Sequence, residues 1–182
     1  MLELIQNLDS GLLLWIQSMR VELLDPLVCF YTELGNTGML WIVVSVLLLF
    51  SGKTRKAGIL GLSALLLGFI CTNLTIKPLV ERARPWLTLE EITPLVHEKD
   101  PHSFPSGHST SAFAAAVAWA LCTQKIWMRV LAVGAAACMA LSRLYVGVHY
   151  PSDVLCGSLI GAMCGWIVWK VWNRRENIRN KG

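Results

Sequence analysis

The chain has 182 residues, of which 54% are hydrophobic and 15% are charged, and its mean hydropathy is +0.53. A soluble domain is expected to carry about 25% charged residues, so the composition argues against a water-soluble protein and indicates lipid around much of the surface. The length predicts one domain, residues 1–182. The formal net charge of +4 is modest, and we expect no nucleic-acid partner.

The first 34 residues are a poor match to a transmembrane helix. Their apolar run at 12–16 is followed too soon by Arg20, Glu22 and Asp25, because a span needs about 20 mainly apolar residues. We therefore predict that residues 1–34 form an N-terminal interfacial segment with an amphipathic helix. A sixth, imperfect span is the alternative interpretation.

Five later stretches, with their flanks, are apolar enough to cross a bilayer. Because a backbone in lipid must satisfy its own hydrogen bonds, each is predicted to be a helix. The predicted fold class is all-α: a polytopic membrane helix bundle with five transmembrane helices and an N-terminal amphipathic helix. The predicted spans are residues 38–50, 57–76, 110–122, 126–141 and 154–172.

Basic residues cluster between the first two spans, between the third and fourth, and after the fifth. The positive-inside rule makes these three groups, and the C-terminus, cytoplasmic. Alternation of the helices then brings segments 77–106 and 142–153 to the outer face of the cell membrane, together with the residues before Gly38.

Arg82 and Arg84 depart from this charge rule, because they lie in the 77–106 segment on the outer side. Basic residues at that position need an explanation other than topology. For Arg84 the explanation is the phosphate chemistry described next. Arg82 is predicted either to supplement a phosphate site or to face water.

The six cysteines lie in apolar stretches, and none forms a C-x-x-C pair. A disulfide framework or a zinc site is therefore not expected. Buried, unreactive cysteines are the usual interpretation of this pattern. The residues concerned are Cys29, Cys71, Cys122, Cys138, Cys156 and Cys164.

Cationic side chains and a helix start lie together on the predicted outer face. Lys77, Arg84 and Arg143 supply donors for a phosphoryl dianion, and an arginine can bind it with two parallel hydrogen bonds. Ser106 and Gly107 open a helix, where free backbone N–H groups favour an anion. Each residue alone has an ordinary structural role, but ionisable residues at the ends of separate spans on one face indicate a functional site.

Two histidines on the same face can carry acid–base and nucleophilic chemistry. His108 and His149 are enough for one nucleophile and one proton donor. Asp153 follows His149 near a helix start marked by Pro151. A carboxylate there can hold one imidazole nitrogen as N–H and leave the other free to attack.

These clusters resemble the three-part signature of the type 2 phosphatidic acid phosphatase (PAP2) superfamily: K-x6-R-P, P-S-G-H and S-R-x5-H-x3-D. All eleven fixed positions are present, in order and with their internal spacing intact. The resemblance is close over residues 77–153, which hold the predicted catalytic motifs, and weak before Gly35.

The resemblance implies a phosphatase that uses no metal and no other cofactor. His149 would attack phosphorus to give a phosphohistidine, with Asp153 orienting it, while His108 would protonate the leaving oxygen and later activate water. The phosphoryl oxygens would be bound, and the developing charge stabilised, by Lys77, Arg84, Ser106, Gly107 and Arg143.

The predicted substrate is a lipid phosphate or diphosphate, and membrane lipids are the other expected partner. The membrane helices disfavour the soluble haloperoxidases of the superfamily, and the short outer loops suit a bacterial lipid phosphatase. Undecaprenyl diphosphate is favoured, because a short chain with an outward-facing site matches carrier-lipid recycling. Phosphatidic acid and phosphatidylglycerophosphate are the alternatives, and the oligomeric state stays open.

A hypothesis of another class is a non-catalytic protein that binds or transports lipid phosphates with the same basic cluster. Pure binding would not need the intact set of His108, His149 and Asp153. The sequence therefore favours an enzyme.

Overall fold

The computed structural model describes residues 2–180, which are helical apart from their connections and contain no β-strand. The predicted all-α class is therefore confirmed. Short 3₁₀ turns, Glu22–Leu24, Asn36–Gly38 and Pro85–Leu87, lie in the connections. The α-helices are α1 (Leu2–Ser18), α2 (Asp25–Leu34), α3 (Met39–Leu49), α4 (Arg55–Phe69), α5 (Lys77–Val80), α6 (Gly107–Cys122), α7 (Ile126–Tyr145) and α8 (Pro151–Arg179).

Three helical stretches are long and apolar enough to cross a membrane: α7, α8 and a continuous helix, Arg55–Val80, in which the π-helical segment Ile70–Ile76 joins α4 to α5. The segments Glu22–Leu34 and Asn36–Leu49 pass the same test only together, with a bend of 50°. The predicted count of five spans is therefore not confirmed. α6 has 16 residues and α3 has 11, whereas a straight span needs about 20.

The N-terminal segment forms two helices where the sequence predicted one, because the polar residues after the apolar run form a turn between them. Leu13 of α1 is fully buried, and the amide of Gln17 donates to the carbonyl of Tyr145 at 2.9 Å. Tyr31 of α2 donates to the carbonyl of Ala135 at 2.7 Å. Both helices therefore pack against α7 and belong to the bundle.

α6 lies at the centre of the bundle, and α8 approaches it closely because glycines face it at four-residue intervals. A Cβ atom at Gly161 would overlap the carbonyl oxygen of Thr110, and one at Gly157 would lie 2.5 Å from that of Ser106. Small residues at this spacing allow membrane helices to pack backbone to backbone. As a result the amide of Ser106 donates to the carbonyl of Asp153 at 3.0 Å, which joins two of the sequence clusters.

The two ends of the bundle differ in chemistry. At one end Nζ of Lys56 lies 2.6 Å from a carboxylate oxygen of Glu176 and 2.8 Å from the side-chain oxygen of Asn173. Two of the basic groups therefore share this end, as the sequence predicted. The three sequence clusters meet at the opposite end, which we call the site end.

Candidate active site

A cavity of about 850 Å³ opens at the site end, between the α2–α3 turn, α4–α5, the start of α6 and the 97–100 loop. The fold brings the predicted site residues to this end, although they do not all line the cavity. Lys77, Arg84, Gly107, His108 and His149 line it, while Ser106, Arg143 and Asp153 are buried beside it and are not among the lining residues.

His149 lies between α7 and α8, is 2% exposed, and has its two ring nitrogens in different surroundings. Its Nε2 is 3.3 Å from Nη1 of Arg84, whereas its Nδ1 is 3.6 Å from Oδ2 of Asp153. The second distance exceeds a hydrogen bond, and among the described residues Nδ1 has no hydrogen-bond partner. The same Asp153 oxygen accepts the amide of Tyr150 at 2.8 Å. The predicted His–Asp pair is therefore aligned but not hydrogen-bonded.

The surroundings of His149 favour its neutral form. Burial, followed by the positive charge of Arg84, holds the pKa of His149 well below its ordinary value, because both disfavour an imidazolium. Burial also lowers the pKa of Arg84, but a guanidinium remains charged at neutral pH. In this neutral form the lone pair of Nε2 is directed toward the Arg84 guanidinium, so an anion bound by this cation would lie within reach of a nucleophilic nitrogen.

His108 is the second residue of α6 and faces the turn between α2 and α3. Its Nε2 lies 3.1 Å from Oδ1 of Asn36, an acceptor that would orient a ring N–H. A Cβ atom at Gly35 would lie 2.8 Å from Cδ2 of His108. The absence of a side chain at this position therefore leaves room for the imidazole ring. Asn36 was not predicted from the sequence, although alternation of the spans placed its turn on the same face.

The three predicted phosphate-binding cations are paired with carboxylates of the 97–100 loop. Nζ of Lys77 lies 2.7 Å from Oδ2 of Asp100. Arg143 donates to Glu98, and Nη2 of Arg84 lies 3.7 Å from Oε2 of the same residue. Glu98 and Asp100 were also missed, because a polar loop gives no pattern that fixes where its carboxylates lie.

The two predicted anion ligands at the start of α6, Ser106 and Gly107, have different surroundings. The side chain of Ser106 accepts from the amide and the hydroxyl of Ser109, at 3.4 and 3.0 Å, and so caps the helix. Gly107 lines the cavity beside Asn73. Because the first N–H groups of a helix lack intrahelical partners, Gly107 and His108 are positioned to offer backbone donors to an anion.

Arg82 neither supplements the phosphate cluster nor faces water, so both predicted interpretations were wrong. One of its nitrogens lies 2.7 Å from Oδ1 of Asp153, and the other lies 2.7 Å from Oδ2 of Asp9. Its guanidinium also stacks 4.0 Å above the ring of Tyr150. Although burial opposes it, the carboxylates of Asp153 and Asp9 raise the pKa of Arg82.

Within residues 4–180, whose side chains the structure describes, no group of three or more His, Cys, Asp or Glu side chains is arranged as metal ligands. The site therefore consists of two histidines, one aligned carboxylate, a cluster of cations and a free helix start. This set can bind a phosphoryl group and transfer it to an imidazole.

Fold and site together define an all-helical membrane protein with a phosphoryl-transfer site at one end of the bundle. The PAP2 superfamily profile matches residues 56–177. The chain belongs to the PAP2 superfamily and is a PAP2-type phosphatase, as its motifs predicted.

Three known proteins illustrate the range of similar chains. An undecaprenyl-diphosphatase of Sulfolobus acidocaldarius is 32% identical over 148 residues, covering 81% of this chain and 69% of the relative. A lipid A 4'-phosphatase of Bacteroides thetaiotaomicron is 28% identical over 181 residues, covering 93% and 79%. The crystal structure of a transmembrane PAP2-type phosphatidylglycerolphosphate phosphatase from Bacillus subtilis superposes with a TM-score of 0.77 at 28% identity, covering 94% and 87%. With several apolar helices, these similarities identify a multi-pass membrane protein.

Proposed function

We propose that this protein hydrolyses a lipid phosphate or diphosphate through a phosphohistidine intermediate, with undecaprenyl diphosphate as the preferred substrate. The reaction would take place at the extracytoplasmic face of the cell membrane. One observation carries the lipid part of this proposal: the cavity that holds the histidines continues along an apolar wall.

The cavity has a polar end and an apolar side. Its polar end carries Lys77, Arg84 and the two histidines, and its other lining includes apolar side chains of α3 and α4. Leu66 and Phe69 are 62% and 51% exposed, so this wall is open sideways on a helix of membrane-spanning length. A regular α-helix would rise roughly 22 Å from Leu62 to Lys77. The π-helical segment Ile70–Ile76 shortens this distance, and the wall can accommodate part of an extended lipid chain. The apolar lining consists of Ile42, Leu62, Leu65, Leu66 and Phe69.

In the first step, Nε2 of His149 attacks phosphorus and forms the P–N bond. The ester or anhydride P–O bond breaks, and the leaving oxygen takes a proton from His108. Arg84, 3.3 Å from the attacking nitrogen, would stabilise charge on the phosphoryl oxygens as they pass through the transition state. Asp153 lies beside Nδ1 and would stabilise the positive charge that develops on the His149 ring.

In the second step, His108 removes a proton from water, and the resulting hydroxide attacks the phosphohistidine. The P–N bond breaks, which releases inorganic phosphate and restores His149. Asn36, 3.1 Å from Nε2 of His108, would hold that ring in both steps. No metal takes part in either step.

The reaction is tested by phosphate release from undecaprenyl diphosphate, with the protein purified in detergent and a chelator present. We expect wild-type turnover with chelator, and a loss of several orders of magnitude in His149→Ala. Glu91→Gln, which changes an exposed carboxylate in the connection between α5 and α6, is the control and should retain wild-type activity. A wild-type protein no more active than His149→Ala would refute the proposed hydrolytic activity. A requirement for a divalent metal would refute the proposed metal-independent mechanism.

The intermediate is tested by incubating the enzyme with a substrate labelled with ³²P in the terminal phosphate and then quenching with denaturant at alkaline pH. We expect an acid-labile, alkali-stable phosphoprotein that is absent in His149→Ala. Label that His149→Ala retains would place the covalent intermediate on another residue.

The preferred lipid is decided by comparing kcat/KM for undecaprenyl diphosphate, phosphatidic acid and phosphatidylglycerophosphate. The relatives named above act on several lipid phosphates, which is why this comparison is needed. A higher kcat/KM for either glycerophospholipid would overturn the proposed substrate and leave the reaction intact. Binding of all three lipids without phosphate release would instead support the non-catalytic hypothesis.

A further inference from the structure

Arg82 forms an ionic network that the PAP2 signature does not include. Asp9, Arg82 and Asp153 come from α1, from the connection after α5 and from α8, and each has a largely buried side chain, with exposures of 7%, 18% and 0%. The guanidinium lies between the two carboxylates, 2.7 Å from each. One cation thus joins the N-terminal helix to the carboxylate beside His149.

The network fixes the orientation of the Asp153 carboxylate. Arg82 holds Oδ1, while Oδ2 accepts the amide of Tyr150 at 2.8 Å and faces Nδ1 of His149 at 3.6 Å. A buried carboxylate without a cation nearby would tend to take up a proton or turn toward another donor. Either change would remove the acceptor that faces the His149 ring.

Asp9 in turn fixes Arg82 and the start of α8. Its Oδ2 receives Nη2 of Arg82, and its Oδ1 accepts the backbone amide of Ser152 at 2.9 Å. The neighbouring Gln6 side chain accepts from the same nitrogen of Arg82 at 2.7 Å. α1 therefore supplies two of the acceptors that hold this guanidinium.

We propose that Arg82 and Asp9 are positioning residues for phosphoryl transfer: Asp9 holds the Arg82 guanidinium, and Arg82 holds Asp153 with its second oxygen toward His149. This inference rests on the proposed function, in which His149 is the nucleophile. It also gives the N-terminal helix a role in the chemistry beyond packing against the bundle.

Arg82→Gln tests the proposal, with Arg82→Lys and Asp9→Asn as graded variants. We expect Arg82→Gln to lower kcat by about 10- to 100-fold, with KM within threefold of wild type, since the phosphate-binding cations remain. Arg82→Lys keeps the charge but not the fork of donors, so its kcat should be intermediate. Asp9→Asn keeps an acceptor for Ser152 and should lose less than Arg82→Gln.

Arg20→Gln is the matched control, because Arg20 follows α1 and pairs with Asp25 at 3.2 Å without contacting Asp153. It should keep wild-type kcat. Thermal unfolding of each variant shows whether it is folded, and Arg82→Lys and Asp9→Asn carry the test if Arg82→Gln is not. A folded Arg82→Gln with wild-type kcat would overturn the proposal, as would a loss confined to KM.

A second readout separates this inference from the proposed function. In protein labelled with ¹⁵N-histidine, we expect the proton of His149 to reside on Nδ1 in both proteins, because Arg84 can only donate to Nε2 at 3.3 Å. Arg82→Gln should change the ¹⁵N chemical shift of Nδ1, since the Asp153 carboxylate would no longer be held toward it. If the wild type releases no phosphate from any lipid, the proposed function fails and this chemical-shift measurement still decides. An unchanged Nδ1 shift would then refute the positioning role.

Discussion

Nζ of Lys77 lies 2.7 Å from Oδ2 of Asp100, so a loop carboxylate of the chain is paired with a cation assigned to substrate phosphate. Glu98 is paired in the same way with Arg143 and, at 3.7 Å, with Arg84. Two carboxylates carry the charge of one phosphoryl dianion. A bound phosphate would therefore have to displace both from the cations.

Replacing one of these carboxylates should tighten phosphate binding. A partly exposed ion pair contributes about 0.2–1 kcal/mol, so we expect Glu98→Gln to lower the inhibition constant for inorganic phosphate by a factor of about 1.4 to 5. Asp100→Asn should act in the same direction, because an amide oxygen can still accept the backbone amide of His102, as Oδ1 does at 2.9 Å. The measurement is competitive inhibition of turnover by phosphate.

Glu91→Gln is the control, because it removes a charge from the same connection at an exposed position. It should leave the inhibition constant unchanged. An equal change in the control would mean that overall charge is responsible, and weaker phosphate binding in Glu98→Gln would mean that Glu98 supports the site.

The neutral state of His149 should be visible as a titration below pH 6.5. Burial and the charge of Arg84 lower its pKa, whereas an unfolded imidazole titrates near pH 6.5. We expect the ¹⁵N signal of His149 in the free protein to titrate well below that value. The same signal should be missing in His149→Asn, and a titration at or above pH 6.5 would contradict the assignment.

The same pKa difference predicts how stability depends on pH. Below about pH 6.5 the unfolded state takes up a proton on His149 that the folded state does not, so the free energy of unfolding should fall as the pH decreases. His149→Asn lacks this term, and its melting temperature should fall less between pH 7 and pH 5. Parallel curves for the two proteins would argue against a lowered pKa.

The contact between α6 and α8 gives a test of the fold that holds the site. A methyl group at Gly161 would overlap the backbone oxygen of Thr110, whereas one at Gly134 on α7 would meet no atom within 4 Å. Gly161→Ala must separate the helices and should cost about 1–3 kcal/mol of stability. Gly134→Ala is the matched control and should melt like wild type in the same detergent.

The sequence predicted well the features that depend on local sequence patterns, namely apolar length and motif spacing. Apolar length predicted the helices of spanning length found at α4–α5, α7 and α8, and the motif spacing predicted which histidines and cations would meet. It predicted less well what depends on contacts between distant segments. Arg82 lies 73 positions from its partner Asp9 along the chain, and no local periodicity links the two residues. Their contact follows from how α1 packs on the start of α8, which only the folded chain defines.

The orientation of the chain remains a prediction, and the structure makes it easy to test. The pairing of Lys56 with Glu176 puts two basic groups at the end opposite the site, and the positive-inside rule makes that end cytoplasmic. A green fluorescent protein fused to the C-terminus should therefore fluoresce, while an alkaline phosphatase fused there should be inactive. Right-side-out vesicles should also hydrolyse an impermeant short-chain lipid phosphate, and inside-out vesicles should do so only after permeabilisation. The reverse pattern in both assays would put the site on the cytoplasmic face, where it could not act on carrier lipid delivered to the outer leaflet.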